Sequence, residues 1–326
     1  MKSMIFFGAG ASKSEGAPLQ DELFSAYFNE CSKDKDRYYN VLQDFFMKAY
    51  NLDVRNTKVF PTFEEILGLL YSAEKRRESF YFNTEEIKEG IIFSMAEILD
   101  RKFLKGSTYH NQLIEKLKKE ELLMDVIFIT TNYDLLLDSA ILSNGLDIDY
   151  GFKNIYKHQS ECLPLYKIFG SLNWKYCDVC DNFLISSQIE DGMLKSIIKE
   201  DYACNICHNQ FKSIIVPPTF YKEISNYYLN NIYHNLNKGL YEVENIIFCG
   251  YSFPDADLYI KFILKRAELY KDKPFNIIII NNYEGKLPEK IEKEKDKYKL
   301  FFNGNIHYTN HSFQDFCKEP ERFIPH

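Results

Sequence analysis

The chain has 326 residues, enough for one large domain or two modest ones with a sizeable buried core. A formal charge of −7 without a long basic run argues against a dedicated nucleic-acid binder, so no direct nucleic-acid partner is expected, and nucleic acid, if involved, would reach this chain through another subunit. Only four apolar residues follow Met1-Lys2-Ser3, too few for a signal-peptide core, and no run approaches the roughly 18 apolar residues of a membrane span. The expectation is a cytoplasmic protein with no membrane partner.

In chain order, Met4–Phe7 predicts a short buried strand running into Gly8-Ala9-Gly10-Ala11-Ser12 and then Gly16-Ala17-Pro18. Small residues let the backbone turn sharply and bring its amides close to a phosphate-bearing ligand. A helix starting near Leu19 would add its N-terminal dipole; an ordinary strand-to-helix connector has the same composition. From about residue 30 to 120 the chain is charged and periodically apolar, as in Phe63–Leu70 and Ile87–Leu99, and reads as a helical insertion. Val126–Thr130 predicts the second strand, with a helix over Tyr133–Ile141. Leu165–Phe169, Ile246–Cys249 and Phe275–Ile280 predict three more strands, with helices over Asp257–Leu269 and Ser312–Cys317. Apolar runs without alternation suit strands buried on both faces. The expected fold is therefore α/β, a doubly wound, mostly parallel sheet within a single domain over 1–326.

Four of the eight cysteines form two Cys-x-x-Cys pairs, Cys177/Cys180 and Cys204/Cys207. In a reducing compartment this spacing predicts a structural Zn2+ ribbon, here a small module over 176–211. All-thiolate coordination leaves no open position for catalysis, and His208 reads as a bystander. Cys31, Cys162, Cys249 and Cys317 read as packing residues.

Ligands of open α/β sheets sit at the carboxyl ends of the strands. That rule directs Thr131, Asn132 and Asp134 toward the ligand of the first loop, although Asn and Asp also cap helices and that reading stays open. The other strand ends carry Phe169-Gly170-Ser171, Gly250-Tyr251-Ser252 and Asn281-Asn282.

Taken in order, these motifs resemble the sirtuin superfamily over most of the chain, in particular the divergent prokaryotic sirtuin-like NADases of antiphage defence. The resemblance implies a sirtuin-like Rossmann core that takes NAD+ as substrate. Gly8, Ala9, Gly10, Ser12 and Pro18 match the phosphate motif, with Thr131 beside them. Asn132 matches the residue beside the nicotinamide ribose, and Asp134 the one that shapes the nicotinamide pocket; these two are the implied catalytic positions. Gly250 and Ser252 resemble a Gly-x-Ser phosphate contact, and Asn281 and Asn282 the position that reaches the adenosine ribose. One position departs: Phe169 stands where the family has the His that acts as base or ribose-orienting group. Phe has no titratable or hydrogen-bonding atom, and none of the seven histidines is an obvious substitute, His158 being the closest upstream. Replacement that traps a ligand and an altered chemistry both stay open as explanations.

The resemblance thus implies an NAD+ glycohydrolase acting as a defence effector, with low or no turnover while Phe169 is present. The alternatives are a non-catalytic NAD or ADP-ribose sensor subunit and an NAD-dependent protein deacylase. The helical insertion is expected to serve self-assembly into a homo-oligomer or docking to a partner defence subunit.

Overall fold

The first apolar run forms β1 (Ser3–Phe7), buried at all five positions, in a computed structural model that describes residues 2–31, 37–78, 81–103, 108–152, 162–185, 203–216 and 227–325. The first helix does not start near Leu19. Instead α1 (Ala9–Lys13) begins directly after Gly8, and α2 (Leu23–Glu30) follows beyond the turn at Gly16. Small residues at 8–11 let the helix begin where the backbone emerges from the sheet, whereas Pro18 biases Ala17 away from helix. The helical stretch continues through α3 (Arg37–Tyr50), α4 (Phe63–Arg76), α5 (Thr84–Phe103) and α6 (Tyr109–Lys119).

Next come β2 (Val126–Thr130), α7 (Leu136–Ser143), β3 (Asp147–Asp149), β4 (Cys162–Lys167), β5 (Gly170–Tyr176), β6 (Phe183–Ile185) and β7 (Lys212–Ile215). The chain closes with α8 (Tyr227–Glu242), β8 (Asn245–Cys249), α9 (Leu258–Tyr270), β9 (Asn276–Ile280), α10 (Pro288–Phe301), β10 (Ile306–Thr309) and α11 (Phe313–Lys318).

The chain divides into two compact units. The first comprises Met1–Glu15, Gly106–Phe169 and Phe220–His326. Its sheet has seven strands in the order β10-β9-β8-β1-β2-β4-β3, every pair parallel. The chain builds outward from β1 in opposite directions, so the strand order reverses between β1 and β8. Such a reversal opens a crevice at the carboxyl ends of the two strands. Core strands β1, β2 and β8 are buried throughout, as strands covered on both faces must be.

The second unit comprises Gly16–Lys105 and Gly170–Thr219. Phe24, Phe28, Phe46 and Phe60 make an aromatic cluster among its helices, with ring centroids 4.9–6.2 Å apart. It also carries a three-stranded antiparallel sheet, β6-β5-β7. The chain enters that sheet at Gly170, where φ is +91° and a Cβ would lie 1.9 Å from the Ile214 carbonyl oxygen. Only glycine fits there. Hence β4 ends at Lys167, short of the predicted Phe169. Among the described residues, no helix is long and apolar enough to cross a membrane.

Candidate functional site

Three glycines bring two loops into backbone contact at the crevice. The Gly8 N–H donates to the Cys249 carbonyl (3.0 Å), the Gly10 N–H to Gly250 O (2.9 Å) and the Gly250 N–H to Ile280 O (3.2 Å). A Cβ on Gly8 or Gly10 would lie under 3 Å from the Gly250 loop, and one on Gly250 would stand 2.4 Å from the Ala11 nitrogen. On the other side of β1, the Thr131 N–H donates to Phe7 O (3.1 Å). The carboxyl ends of β2, β1, β8 and β9 are thereby stitched together.

A polar network lies beside this cradle. The Asn132 amide donates through Nδ2 to Gly8 O (3.0 Å) and Ser12 Oγ (2.7 Å), and the Ser12 hydroxyl donates to Asp134 Oδ2 (2.6 Å). Helix α7 starts three residues later than expected because 132–135 form this turn. The Asn132 side chain reaches back to the first loop, while Asp134 Oδ1 accepts the Leu136 N–H (3.1 Å). Of the two capping readings, only that for Asp134 has this local counterpart; α7 has no side-chain cap at its N-cap residue, Leu135.

Gly10, Gly250 and Asn282 line a cavity of about 430 Å³, together with Ser14, Glu284 and the Ser312–Asp315 turn. The Asn282 carbonyl Oδ1 accepts the Glu284 N–H (2.8 Å). Asn281 donates its amide to Glu294 on α10 and is not among the lining residues. Ser252 is exposed on the loop after Gly250, and Ala9 is part-buried at the start of α1. Pro18 belongs to the second unit. Phe169 is 2% exposed, and the carbonyl just before it, on Ile168, accepts the Tyr233 hydroxyl (2.7 Å). His158 lies outside the described residues.

Sequence reasoning missed several of these groups. The turn at 312–315 is a capping box: Ser312 Oγ accepts the Asp315 N–H (3.1 Å) and Asp315 Oδ2 accepts the Ser312 N–H (2.9 Å). The Ser312 hydroxyl, which donates to Asp315 Oδ2 (2.6 Å), and the Ser312 N–H hold the Asp315 carboxyl below its usual range. The Ser-x-x-Asp spacing was the available signal. Glu15 gave no signal. Its carboxylate accepts the N–H groups of Tyr109 (2.6 Å), His110 (3.0 Å) and Thr108 (3.1 Å), with His110 Nδ1 at 3.2 Å. This acid ties the start of α6 to the segment after α1, and the His110 ring packs against Phe7 at the end of β1 and against Phe313.

Burial pushes the Glu15 carboxyl up, but the bonds from the His110 ring and from the His110 and Thr108 amides outweigh it and bring it down to about 2. A lowered folded value means stability present above the unfolded value of 4.5 and lost as pH falls through 2. Glu15→Gln is expected to lower stability by about 1–3 kcal/mol at neutral pH. The gap to the parent should narrow as urea unfolding is followed below pH 4.5; a gap independent of pH contradicts the assignment.

In the second unit, Cys177, Cys180, Cys204 and Cys207 bring their sulfurs within 4.8 Å of one another. The two knuckles close alike. The Cys177 N–H donates to Asn182 O (2.8 Å) and the Cys204 N–H to Asn209 O (2.7 Å), with Asp181 and His208 at the left-handed position between. His208 is thus the counterpart of Asp181, a turn residue. The pairs Cys177–Cys207 and Cys180–Cys204 are 3.3 and 3.5 Å apart, close to the roughly 3.8 Å between thiolates on a tetrahedral zinc. The donor set fits a structural metal. Residues 186–202 of the predicted module lie outside the described residues.

Solved structures share this fold. A Sir2 homologue in complex with NAD matches with a TM-score of 0.51 at 15% identity, covering 99% of this chain and 89% of that one. A mutant Sir2 homologue in complex with ADP-ribose matches with a TM-score of 0.50 at 16% identity, covering 99% and 91%. No curated protein matches the chain. The SIR2-like domain model matches residues 126–302, more than half of the chain, including the Asn132 turn, the four cysteines and the β8 and β9 ends but not the first glycine loop. With this match and a parallel sheet whose reversal point carries the glycine cradle, the chain belongs to the SIR2-like family.

Proposed function

We propose that this chain is an NAD+ glycohydrolase that cleaves the nicotinamide–ribose bond, acting as an effector of antiphage defence. One observation carries the reading. Asn132, Ser12 and Asp134 form a single hydrogen-bonded network at the edge of a backbone cradle that only glycines can build. Gly8, Ala9, Gly10, Ser12, Gly250 and Ser252 would hold the pyrophosphate, with Thr131 flanking them. Asn282, with Asn281 behind it, would face the adenosine ribose. In the reaction a water oxygen bonds to C1′ of the nicotinamide ribose as the glycosidic C–N bond breaks. Nicotinamide leaves with the electron pair, and the water proton passes to solvent. The transition state resembles an oxocarbenium ion, so a fixed ribose and a positioned water matter most. Asn132 would orient them, and Asp134 would shape the nicotinamide side. The four cysteines would hold zinc as a structural element of the second unit.

Phe169 favours a second reading, a non-catalytic NAD or ADP-ribose sensor, since the residues proposed to bind are retained in the sequence while that position carries no base. An NAD-dependent deacylase agrees equally well with the fold. The three readings separate in one experiment, incubation with NAD+ with and without an acetyl-lysine peptide. Peptide-independent nicotinamide release supports hydrolysis, and peptide-dependent release supports deacylation. Calorimetric binding without release, also after Phe169→His, supports the sensor. Residues 30–120 would carry the contacts to a second copy or to a partner subunit.

A further inference from the structure

Lys167, at the last position of β4, is fully buried. Its ammonium donates to Asp138 Oδ2 (2.9 Å) and to the backbone carbonyl of Asp134 (2.5 Å). The other Asp138 oxygen accepts the Tyr150 hydroxyl (2.5 Å), and both partners are buried as well. Taking two charges out of water is expensive, and a hydrophobic set of similar volume is often as stable or more so. A packing role alone therefore does not account for a lysine at this place.

What the lysine touches does. Asp134 is the residue whose carboxylate takes the Ser12 hydroxyl, and Ser12 in turn takes the Asn132 amide. Its backbone carbonyl is bound by Lys167. We infer that Lys167, braced by Asp138 and Tyr150, is a positioning residue that sets the 131–135 turn and so the placement of Asn132 and Asp134. This rests on the reading of that turn as part of the NAD-cleaving site. Asp138 lies on the first turn of α7, so the same ammonium ties the turn to the helix that follows it. Misplacement by about 1 Å at a reacting centre can cost on the order of 100-fold in rate.

The test removes the network without leaving a buried charge, through the combined variant Lys167→Met, Asp138→Leu, Tyr150→Phe. In the Phe169→His background, its thermal midpoint is expected to stay close to the parent's. Nicotinamide release should fall about 10–100-fold with KM little changed, and amide hydrogen exchange at 132–136 should rise at least about tenfold. A purely structural network predicts parental turnover and parental exchange once the midpoint is retained, and that result overturns the inference. Should the combined variant fail to fold, Lys167→Arg keeps the charge but changes the geometry. Slower release and faster local exchange in that variant support positioning, and parental values for both overturn it. Should the Phe169→His background itself release no nicotinamide, the glycohydrolase reading fails by itself, while the exchange difference still decides whether Lys167 holds the turn.

Discussion

Gly250→Ala is expected to abolish NAD+ binding and to lower stability by more than about 3 kcal/mol. Two terms add at this position. At φ +59° the backbone is in the left-handed region, which costs a residue with a Cβ roughly 1–2 kcal/mol. The new Cβ would also stand 2.4 Å from the Ala11 nitrogen and 2.6 Å from the Gly10 carbonyl carbon, both backbone atoms that cannot swing aside. The β1 and β8 loops must separate, and the cradle separates with them. Gly145→Ala isolates the first term, because Gly145 has φ +72° but nothing within 4 Å of its Cβ position. It should cost about 1 kcal/mol and leave binding intact. Chemical denaturation and calorimetry of the two variants check the contrast; equal losses would mean that loop contact is not what Gly250 provides.

Asn132→Ala is expected to lower nicotinamide release in the Phe169→His background by about 100- to 1,000-fold. Its stability loss should be only about 1–2 kcal/mol, since the half-buried side chain gives up two hydrogen bonds whose buried acceptor groups keep other partners, Gly8 O the Ala11 N–H and Ser12 the Asp134 carboxylate. Asn132→Asp should not rescue it. A carboxylate has no N–H for Gly8 O or Ser12 Oγ, and it would add a second negative charge beside Asp134. Steady-state assays and thermal melts on the same preparations separate the two effects. Full turnover in Asn132→Ala would move the chemistry away from this network.

The core strands were legible because runs such as Ile246-Ile247-Phe248 need burial on both faces, and the parallel sheet supplies it. Asp147–Asp149 and Ile306–Thr309 were not, since three- and four-residue strands with polar members form only where a neighbouring strand offers its ladder. The Gly8 and Gly250 loops stood out as motifs, but their mutual backbone contact joins residues far apart in the chain. Lys167 lay inside the predicted strand Leu165–Phe169 without a signal of its own; its burial is set by Asp138 on a helix and Tyr150 beyond β3. Glu15 was silent for the same reason, its partners lying at 108–110. Phe169 was the reverse case: one residue type read against a motif raised the functional question before any geometry was known.

Side-by-side assay of nicotinamide release from NAD+ by this chain and by Phe169→His tests the central claim most directly. Adding a positioned base is worth about 100- to 10,000-fold, so the His form should release nicotinamide at least about 100-fold faster than the parent, with ADP-ribose as the other product. Silence from both forms, with NAD+ bound to each, would contradict the glycohydrolase reading and leave the sensor and peptide-dependent deacylase readings.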